Sequence, residues 1–252
     1  MHDLSGHVAL VTGGNSGIGL GMAEGLVSAG ADIAIWGTNA EKNEKAVTRL
    51  LDHGVRVHSE VCNISDPNQV TAAFDRTVTL LGKVDSVFTS AGIGGPVRPF
   101  TDLTLAEWNQ VFGINLSGTF LTLQAGARHL VERGEGGALI AVSSTAAIHG
   151  APRHEAYAAS KTAILGLTRS LAVGLAQSRI RVNALLPGWT DTGMLDYARS
   201  WKTFVNNTTS RTPAGRWADP TEYGRVAVFL ADPSLTFHTG DTVVVDGGYT
   251  VF

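Results

Sequence analysis

Short apolar runs rich in β-branched residues alternate along the chain with longer stretches in which apolar positions recur at helical spacing. The short runs predict seven strands, at 8–12, 32–36, 55–61, 84–89, 138–143, 180–186 and 242–246. The longer stretches predict helices at 17–29, 40–53, 67–81, 105–133, 155–177 and 221–230. Ser65 or Asp66 can cap the third of these helices, because short polar side chains accept hydrogen bonds from a first helical turn.

Several of the predicted strands are apolar on both faces, as a parallel sheet covered by helices on each side requires. A strand and the helix after it recur every ~25–30 residues, which is typical of βαβ units. The sequence therefore predicts an α/β protein with a doubly wound Rossmann fold, in which a seven-stranded, mainly parallel sheet carries helices on both faces. No linker or internal repeat interrupts the pattern, so we expect residues 1–252 to form a single domain.

One segment departs from the alternation, at about 188–218, between the sixth strand and the last helix. It contains several large apolar side chains, and an insertion at the carboxyl edge of a parallel sheet typically covers a ligand. We therefore predict a substrate loop or lid. A helical hairpin that fills a gap, or a contact in an oligomer, is the alternative.

The composition excludes disorder, because 44% of the 252 residues are hydrophobic and only 16% are charged. The 19 Lys and Arg residues and 22 Asp and Glu residues give a net charge of −3 without a basic block, which argues against nucleic-acid and membrane partners. The single cysteine, Cys62, cannot form an internal disulfide, and the 8 histidines show no metal-site spacing, so we predict no catalytic metal. The first residues do not resemble a signal peptide, and we expect a cytoplasmic protein.

The segment 12–19, Thr-Gly-Gly-Asn-Ser-Gly-Ile-Gly, lies where the first strand meets the first helix. Glycines let the backbone approach a ligand closely, and a helix start offers unpaired N–H groups that suit a pyrophosphate. No Gly-x-x-x-x-Gly-Lys-[Ser/Thr] sequence is present, so a dinucleotide is favoured. The residues predicted to contact it are Gly13, Asn15, Ser16, Gly17, Ile18 and Gly19.

The end of the second strand bears on the choice of dinucleotide. An acidic residue there would bind the adenosine ribose of NAD(H), but the sequence has Gly37, Thr38 and Asn39. These small neutral residues leave room for a 2′-phosphate, although no Arg occupies position 16 or 38. We predict NADP(H) as the cofactor, with NAD(H) as the alternative.

Several motifs in order along the whole chain resemble those of the short-chain dehydrogenase/reductase family. The glycine loop matches the family's Thr-Gly-x-x-x-Gly-x-Gly, and Tyr157 to Lys161 matches its Tyr-x-x-x-Lys. Ser144 lies 13 residues before the tyrosine, and Asn115 matches the active-site asparagine. The resemblance implies a dinucleotide-binding catalytic domain that transfers a hydride between a nicotinamide cofactor and an alcohol or ketone.

The chemistry of these residues supports that reaction. Tyr157 and Lys161 are spaced i and i+4, so they share one face of a helix, and a nearby cation favours the phenolate. We predict that Tyr157 exchanges a proton with the substrate oxygen and that Ser144 donates a hydrogen bond to the same oxygen. By the resemblance, Asn115 holds a water that links Lys161 to solvent.

The resemblance also implies further cofactor contacts. Asn63 and Ile64 match positions beside the adenine, and Thr190 and Thr192 match positions that bind the nicotinamide carboxamide. The remaining matched positions are Ala91, Gly92, Pro187 and Gly188, together with Tyr157 and Lys161 themselves.

The predicted substrate pocket is mostly apolar or aromatic, which favours an uncharged apolar or aromatic ketone or secondary alcohol. Its predicted lining is Ile93, Gly94, Thr145, His149, Trp189, Met194 and Tyr197. A sugar-acid dehydrogenase and a 3-oxoacyl-carrier reductase of the same family are alternatives, and a non-catalytic dinucleotide-binding regulator is a hypothesis of another class. The resemblance implies a homotetramer that packs through the long helices.

Overall fold

The computed structural model describes residues 3–252. Across these residues seven strands form one sheet in the order β3-β2-β1-β4-β5-β6-β7, and every neighbouring pair is parallel. The strands are β1 (Val8–Thr12), β2 (Asp32–Gly37), β3 (Val57–Val61), β4 (Ser86–Thr89), β5 (Gly137–Val142), β6 (Ile180–Pro187) and β7 (Thr242–Val245). The strand order reverses between β1 and β4, which is where open α/β sheets bind ligands beyond their carboxyl ends.

The helices between the strands follow the predicted alternation. They are α1 (Gly17–Ser28), α2 (Ala40–Leu51), α3 (Pro67–Leu81), α4 (Leu105–Phe112), α5 (Thr119–Arg133), α6 (Glu155–Leu175), α7 (Asp196–Arg199), α8 (Lys202–Arg211) and α9 (Tyr223–Ala231). Helix α3 has the predicted bounds, because the Asp66 carboxylate caps its first turn and Gly82 ends it with a φ of 86°. Helix α2 ends before the predicted residue 53, in a turn that Gly54 completes with a φ of 74°.

Alternate residues of β2 enter two hydrophobic cores, one on each face of the sheet. Ile33 and Ile35 pack in the core formed with α1 and α9, and Ala34 and Trp36 pack in the core formed with α3, α5 and α6. The indole Nε1 of Trp36 donates to the Thr77 hydroxyl at 3.1 Å, so this buried ring has its polar atom paired. The doubly wound fold with helices on both faces is therefore confirmed.

The predicted helix at 105–133 is not a regular α-helix throughout. A π-helical turn, Gly113–Gly118, separates α4 from α5, and Asn115 lies within it. Such turns are rare and occur mostly at functional sites, because the wider turn re-aims side chains and frees backbone groups. The hydrophobic periodicity on either side of the turn indicates helix, so the sequence pattern did not reveal it.

The insertion at 188–218 is held at both ends by a single parallel bridge between Thr190 and Ala218. The Ala218 N–H donates to the Trp189 oxygen, and the Asp191 N–H donates to the Ala218 oxygen, each at 2.9 Å. Between these ends lie α7 and α8, so the insertion is helical and packed. In residues 3–252 no helix is both long enough and apolar enough to span a bilayer.

Candidate active site

The glycine loop packs so closely that side chains would not fit. Gly13 and Gly17 have φ values of 67° and 52°, and a Cβ on Gly13 would lie 3.0 Å from the Ala91 backbone. A Cβ on Gly19 would lie 2.2 Å from the Gly13 oxygen. Helix α1 begins at Gly17, so its first N–H groups face the carboxyl edge of the sheet without partners in the helix. This geometry fits a bound pyrophosphate.

The end of β2 is built around two asparagines. A Cβ on Gly37 would lie 2.1 Å from Asn15 Nδ2, which donates to Asn43 Oδ1 at 2.7 Å. Asn43 Nδ2 in turn donates to the Gly37 oxygen at 3.2 Å and to the Glu60 oxygen at 2.9 Å. The Asn15 side chain therefore holds the glycine loop against the end of β2 and the start of α2. Asn43, which the sequence analysis missed, is a buried amide on a helix whose other face is charged.

The residues beside Gly37 differ in how free they are to bind. The Asn39 side-chain oxygen accepts from the Lys42 N–H at 2.9 Å and so caps α2. Thr38 is exposed, as is the Lys42 side chain one turn into α2. Thr38 and Lys42 are therefore exposed polar groups at this end of the sheet, beside the exposed carboxylate of Glu41, which pairs with Lys45.

Asn63 and Ile64, predicted beside the adenine, have different surroundings. The Asn63 side-chain oxygen accepts from the N–H and the hydroxyl of Ser65, at 3.1 and 2.8 Å. Ile64 is buried against the π-helical turn, where a Cβ on Gly118 would lie 2.7 Å from its side chain. Ile64 thus links this edge of the sheet to the turn that carries Asn115.

Asn115 is fully buried and its side chain is saturated by protein partners. Its Nδ2 donates to the Ile93 oxygen at 2.9 Å and to the Ser160 hydroxyl at 3.2 Å, and its Oδ1 accepts from the Ile93 N–H at 2.8 Å. A Cβ on Gly92 would lie 3.1 Å from Asn115 Oδ1 and 3.5 Å from Lys161 Nζ. The structure therefore brings Gly92, Asn115 and Lys161 together at the carboxyl end of β4.

Tyr157 and Lys161 lie one turn apart on α6, and the Lys161 Nζ is 5.7 Å from the centre of the Tyr157 ring. The Tyr157 hydroxyl is hydrogen-bonded to the Ser144 side chain, which also accepts from the Ala146 N–H at 3.1 Å. Lys161 Nζ donates to the Val142 oxygen at 2.9 Å. Three of the predicted catalytic side chains, one from the turn after β5 and two from α6, are thus in one cluster.

Burial dominates the ionisation of this cluster. It lowers the pKa of Lys161 to about 8 and raises the pKa of Tyr157, against which only the Ser144 hydrogen bond acts. The sequence analysis expected a nearby cation to favour the phenolate; the protein groups around Tyr157 by themselves raise its pKa, because the half-buried ring is desolvated. The positive charge of an oxidised nicotinamide is the further contribution expected when the cofactor is bound.

Two serines that the sequence analysis missed hold α6 in place. The Ser143 hydroxyl donates to the Lys161 oxygen at 2.7 Å, and the Ser160 hydroxyl donates to the Tyr157 oxygen at 2.7 Å. Ser160 also receives the Asn115 hydrogen bond, so the π-helical turn and α6 are joined through it. The signal was available, since Ser143 precedes Ser144 and Ser160 precedes Lys161 in the matched motifs.

Beyond β6, the segment 187–192 approaches the glycine loop. A Cβ on Gly188 would lie 2.6 Å from Asp246, so Pro187 and Gly188 pack closely on the end of β7. The Thr192 side chain is the nearest group to Gly17, at 3.2 Å from a Cβ built there. The Thr190 hydroxyl is buried and bonded to the Tyr223 hydroxyl at 2.8 Å and the Gly188 oxygen at 3.0 Å. Of the two threonines, it is therefore Thr192 whose side chain lies next to the glycine loop.

Some of the predicted substrate residues come together across the cleft. Met194 and Tyr197, from the insertion, face the segment after β4: Met194 Cγ is 4.0 Å from a Cβ built on Gly94. The Tyr197 hydroxyl lies 3.5 Å from His154 Nε2, and His154 Nδ1 lies 3.4 Å from the Gly94 oxygen. His154, which the sequence analysis left out of the pocket, thus lies between the insertion and the strand edge.

The other predicted substrate residues pack at the C-terminal side. His149 contacts the Tyr249 ring at 5.4 Å, and its Nε2 is buried without a hydrogen-bond partner among the described residues. Trp189 packs in an aromatic cluster with Phe204, Trp217 and Tyr249. Thr145 is buried, and Ile93 is held through its backbone by Asn115. Trp189 therefore packs against other residues of the insertion and against Tyr249.

No group of three His, Cys, Asp or Glu residues that could hold a metal ion occurs in residues 3–252. The polar groups at the carboxyl edge are instead hydroxyls, amides, backbone N–H groups and one buried ammonium. These are the groups that bind a dinucleotide and exchange a proton with an alcohol or carbonyl oxygen.

Comparisons with known proteins agree with this geometry. A family model described as enoyl-(acyl carrier protein) reductase matches residues 13–250. The 5-keto-D-gluconate 5-reductase of Escherichia coli (strain K12) is 36% identical over 251 residues, which cover 100% of this chain and 98% of that protein.

Solved structures give the same result. A gluconate 5-dehydrogenase from Burkholderia cenocepacia J2315 in complex with NADP and tartrate has a TM-score of 0.94 and 35% identity, covering 100% of this chain and 98% of that one. An NAD⁺-bound xylitol dehydrogenase has a TM-score of 0.92 and 32% identity, covering 97% and 99%. The chain therefore belongs to the short-chain dehydrogenase/reductase family, and it is an oxidoreductase that uses a nicotinamide cofactor to interconvert a CH–OH group and a ketone.

Proposed function

We propose that Tyr157 is the proton donor and acceptor of this reaction and that Ser144 and Lys161 assist it. The observation that carries the proposal is the hydrogen bond between the Tyr157 and Ser144 hydroxyls. The buried Lys161 ammonium lies 5.7 Å from the centre of the Tyr157 ring. When bound, the nicotinamide cofactor supplies or accepts the hydride. In reduction Tyr157 would protonate the substrate oxygen, and in oxidation it would remove that proton.

The proton transfer needs the phenol to be more acidic than it is in the chain alone. Each tenfold increase in acidity requires about 1.4 kcal/mol of interaction that favours the phenolate. Lys161 can contribute to this if Nζ leaves the Val142 oxygen, and the positive charge of an oxidised nicotinamide adds to it. Ser144 supports the same ionisation by donating to the phenolate.

The role of Asn115 follows from its hydrogen bonds. Because its amide is occupied by Ile93 and Ser160, we propose that its main-chain oxygen, in the π-helical turn, holds the water expected beside Lys161. That oxygen already accepts from the Thr119 hydroxyl at 2.8 Å, and a carbonyl oxygen can accept more than one hydrogen bond. The Asn115 side chain would then be a positioning group for the cleft.

We propose NADP(H) as the preferred cofactor, bound along the predicted contact residues of the glycine loop and of the carboxyl ends of β2–β6. No carboxylate at Gly37, Thr38 or Asn39 repels a 2′-phosphate, and Lys42 offers a positive charge one turn into α2. Related structures contain NADP or NAD⁺, so the preference rests on these side chains.

For the substrate, we favour a small polyhydroxylated alcohol or ketone, such as a sugar acid or polyol, over an apolar or aromatic ketone. Trp189 is engaged with its own aromatic neighbours, whereas His149 keeps a buried nitrogen available for a hydroxyl. The relatives named for gluconate and xylitol act on compounds of this class. The insertion at 188–218 would cover the substrate.

We also propose the homotetramer that the family resemblance implies. Large apolar side chains are exposed on the long helices: Leu105, Phe120, Val131 and Val173. Burial of these side chains between subunits would remove them from water. The cytoplasmic location stays a prediction.

Initial rates test the function directly. Purified protein is assayed in the oxidative direction with D-gluconate, xylitol and a cyclohexanol, each with NADP⁺ and NAD⁺. We expect turnover of at least one hydroxylated substrate and a higher kcat/KM with NADP⁺. Tight cofactor binding without turnover of any of them would instead support the non-catalytic regulator.

A further inference from the structure

Arg153 has an unusual backbone conformation four residues before Tyr157. Its φ is 69°, and in residues 3–252 only Arg153 and Arg179 have a positive φ without being glycine. The left-handed region costs a residue with a side chain roughly 1–2 kcal/mol. Arg179 ends a short helical turn, where such a conformation is common, but Arg153 lies in the loop that leads into α6.

A carboxylate holds the Arg153 backbone while leaving its charge free. The Arg153 N–H donates to Glu155 Oε1 at 3.0 Å, so Glu155 is engaged with the main chain. The Arg153 guanidinium is exposed and makes no hydrogen bond or ion pair with any residue of the described 3–252. Arg153 borders a small cleft together with Gly94, His154, Glu155 and Tyr157, and the Glu155 carboxylate there already accepts from the Arg153 N–H.

The other arginines of this region are already engaged. Arg98 pairs with Glu107 at 2.8 Å, and Arg199 pairs with Asp191 at 2.6 Å. The Arg211 guanidinium lies 4.5 Å from the centre of the Tyr249 ring. Arg153 is therefore the arginine beside this cleft whose guanidinium has no charged partner among residues 3–252.

We propose that Arg153 binds the carboxylate of an acidic substrate and so makes the enzyme selective for hydroxy and keto acids. This inference rests on the proposed function, because the substrate carbon must still lie at Tyr157. A guanidinium presents parallel N–H donors that match the two oxygens of a carboxylate, which a lysine does not. Arg153 lines the same cleft as Tyr157, which places it within the region where the substrate would lie.

The test compares an acidic and a neutral substrate in matched variants. Arg153→Gly removes the guanidinium and suits the positive φ, Arg153→Lys keeps the charge without the two-pronged geometry, and Arg169→Gln removes an exposed charge farther along α6. The readouts are kcat and KM for D-gluconate and xylitol, and the melting temperature of the NADP⁺-loaded protein with and without D-gluconate.

We expect Arg153→Gly to raise the KM for D-gluconate by about 10- to 100-fold, with kcat and the kinetics of xylitol within about twofold of the wild type. The KM of Arg153→Lys for D-gluconate should lie between those of the wild type and Arg153→Gly. Arg169→Gln should have the KM of the wild type. The melting temperature of Arg153→Gly without substrate should be unchanged or higher, because the strain is relieved. The shift that D-gluconate produces should be lost.

Other outcomes would overturn the inference. If Arg153→Gly lowers kcat/KM equally for D-gluconate and xylitol and also lowers the melting temperature, Arg153 has a structural role. An unchanged KM for D-gluconate in Arg153→Gly, or a wild type that accepts xylitol and not D-gluconate, would contradict the acid selectivity while leaving the proposed function intact. A gluconate shift that depends on Arg153, without turnover of any substrate, would keep the binding site and reject the proposed function. No turnover and no gluconate shift would reject both.

Discussion

Lys161 Nζ lies 5.7 Å from the centre of the Tyr157 ring and donates to the Val142 oxygen rather than to the phenol. Both side chains belong to one face of α6, which Ser143 and Ser160 hold against β5 and the π-helical turn. The buried Lys161 ammonium thus lies behind the half-buried phenol ring, and desolvation disfavours the charged form of each.

Replacing Tyr157 with Phe removes the proton that the substrate oxygen exchanges. We expect kcat to fall by about 10²- to 10⁴-fold, which is the usual contribution of a general acid or base. The dissociation constant of the cofactor should change by less than about threefold, because the ring itself is retained. Steady-state kinetics and fluorescence titration with NADPH measure the two effects. Near-normal turnover in this variant would rule out Tyr157 as the proton donor.

Lys161 should make the stability of the protein depend on pH in a defined window. Its pKa of about 8 lies below the ordinary value of 10.5, because burial penalises the charge. Below pH 8 Lys161 is charged in both the folded and the unfolded protein. Burying that charge then destabilises the folded protein by about 3 kcal/mol. Between pH 8 and 10.5 the unfolded state binds a proton that the folded state does not, so this penalty declines as pH rises.

Lys161→Met is therefore expected to be inactive but more stable than the wild type at pH 7, by up to about 3 kcal/mol less the cost of leaving the Val142 oxygen unpaired. The difference should shrink as the pH rises from 8 to 10.5. Urea unfolding at pH 7, 9 and 10.5 measures it, with the exposed Lys45→Met as the control. A difference between Lys161→Met and wild type that stays constant across this window would contradict the burial argument.

Asn115→Ala should destabilise the protein as well as slow it. The substitution leaves the part-buried N–H and oxygen of Ile93 without their partner, which costs at most about 5 kcal/mol. Urea unfolding should show this loss, and kcat should fall because the segment after β4 is no longer held at Lys161. Asn109→Ala, an exposed amide on α4, is the matched control and should leave both quantities unchanged. If only kcat falls and stability is retained, the Asn115 amide does not have the positioning role.

Lys42→Ala tests the choice of cofactor. An exposed ion pair with the 2′-phosphate contributes at most about 1 kcal/mol, so we expect a rise of about 3- to 5-fold in the KM for NADPH and none in that for NADH. Lys45→Ala removes an exposed lysine of the same helix that already pairs with Glu41, and it should have no effect on either. Equal changes for NADPH and NADH would mean that Lys42 does not contact the phosphate.

The sequence predicted the sheet, the order of its helices and the family, because these depend on repeated local signals. The Asp66 cap and Gly82 fixed both ends of α3, and the apolar strands indicated a sheet covered on both faces. The π-helical turn at Asn115 escaped prediction, since apolar periodicity does not distinguish it from a regular helix over six residues. The Asn15–Asn43 hydrogen bond joins distant segments, which periodicity does not encode. The positive φ of Arg153 is a local backbone conformation, held by Glu155 two residues on, and it leaves no mark on the hydrophobic pattern.

The bridge between Thr190 and Ala218 gives the insertion a closed base on the sheet. Tyr157, Ser144 and Lys161, the residues proposed to carry the reaction, lie outside this segment, on α6 and just after β5, so we expect changes between the two anchor residues to leave their positions unaltered. The residues proposed for the chemical step and those proposed to cover the substrate thus belong to different segments of the chain. Grafting the corresponding loop of a relative between these anchor residues is therefore a practical route to new substrates on this scaffold.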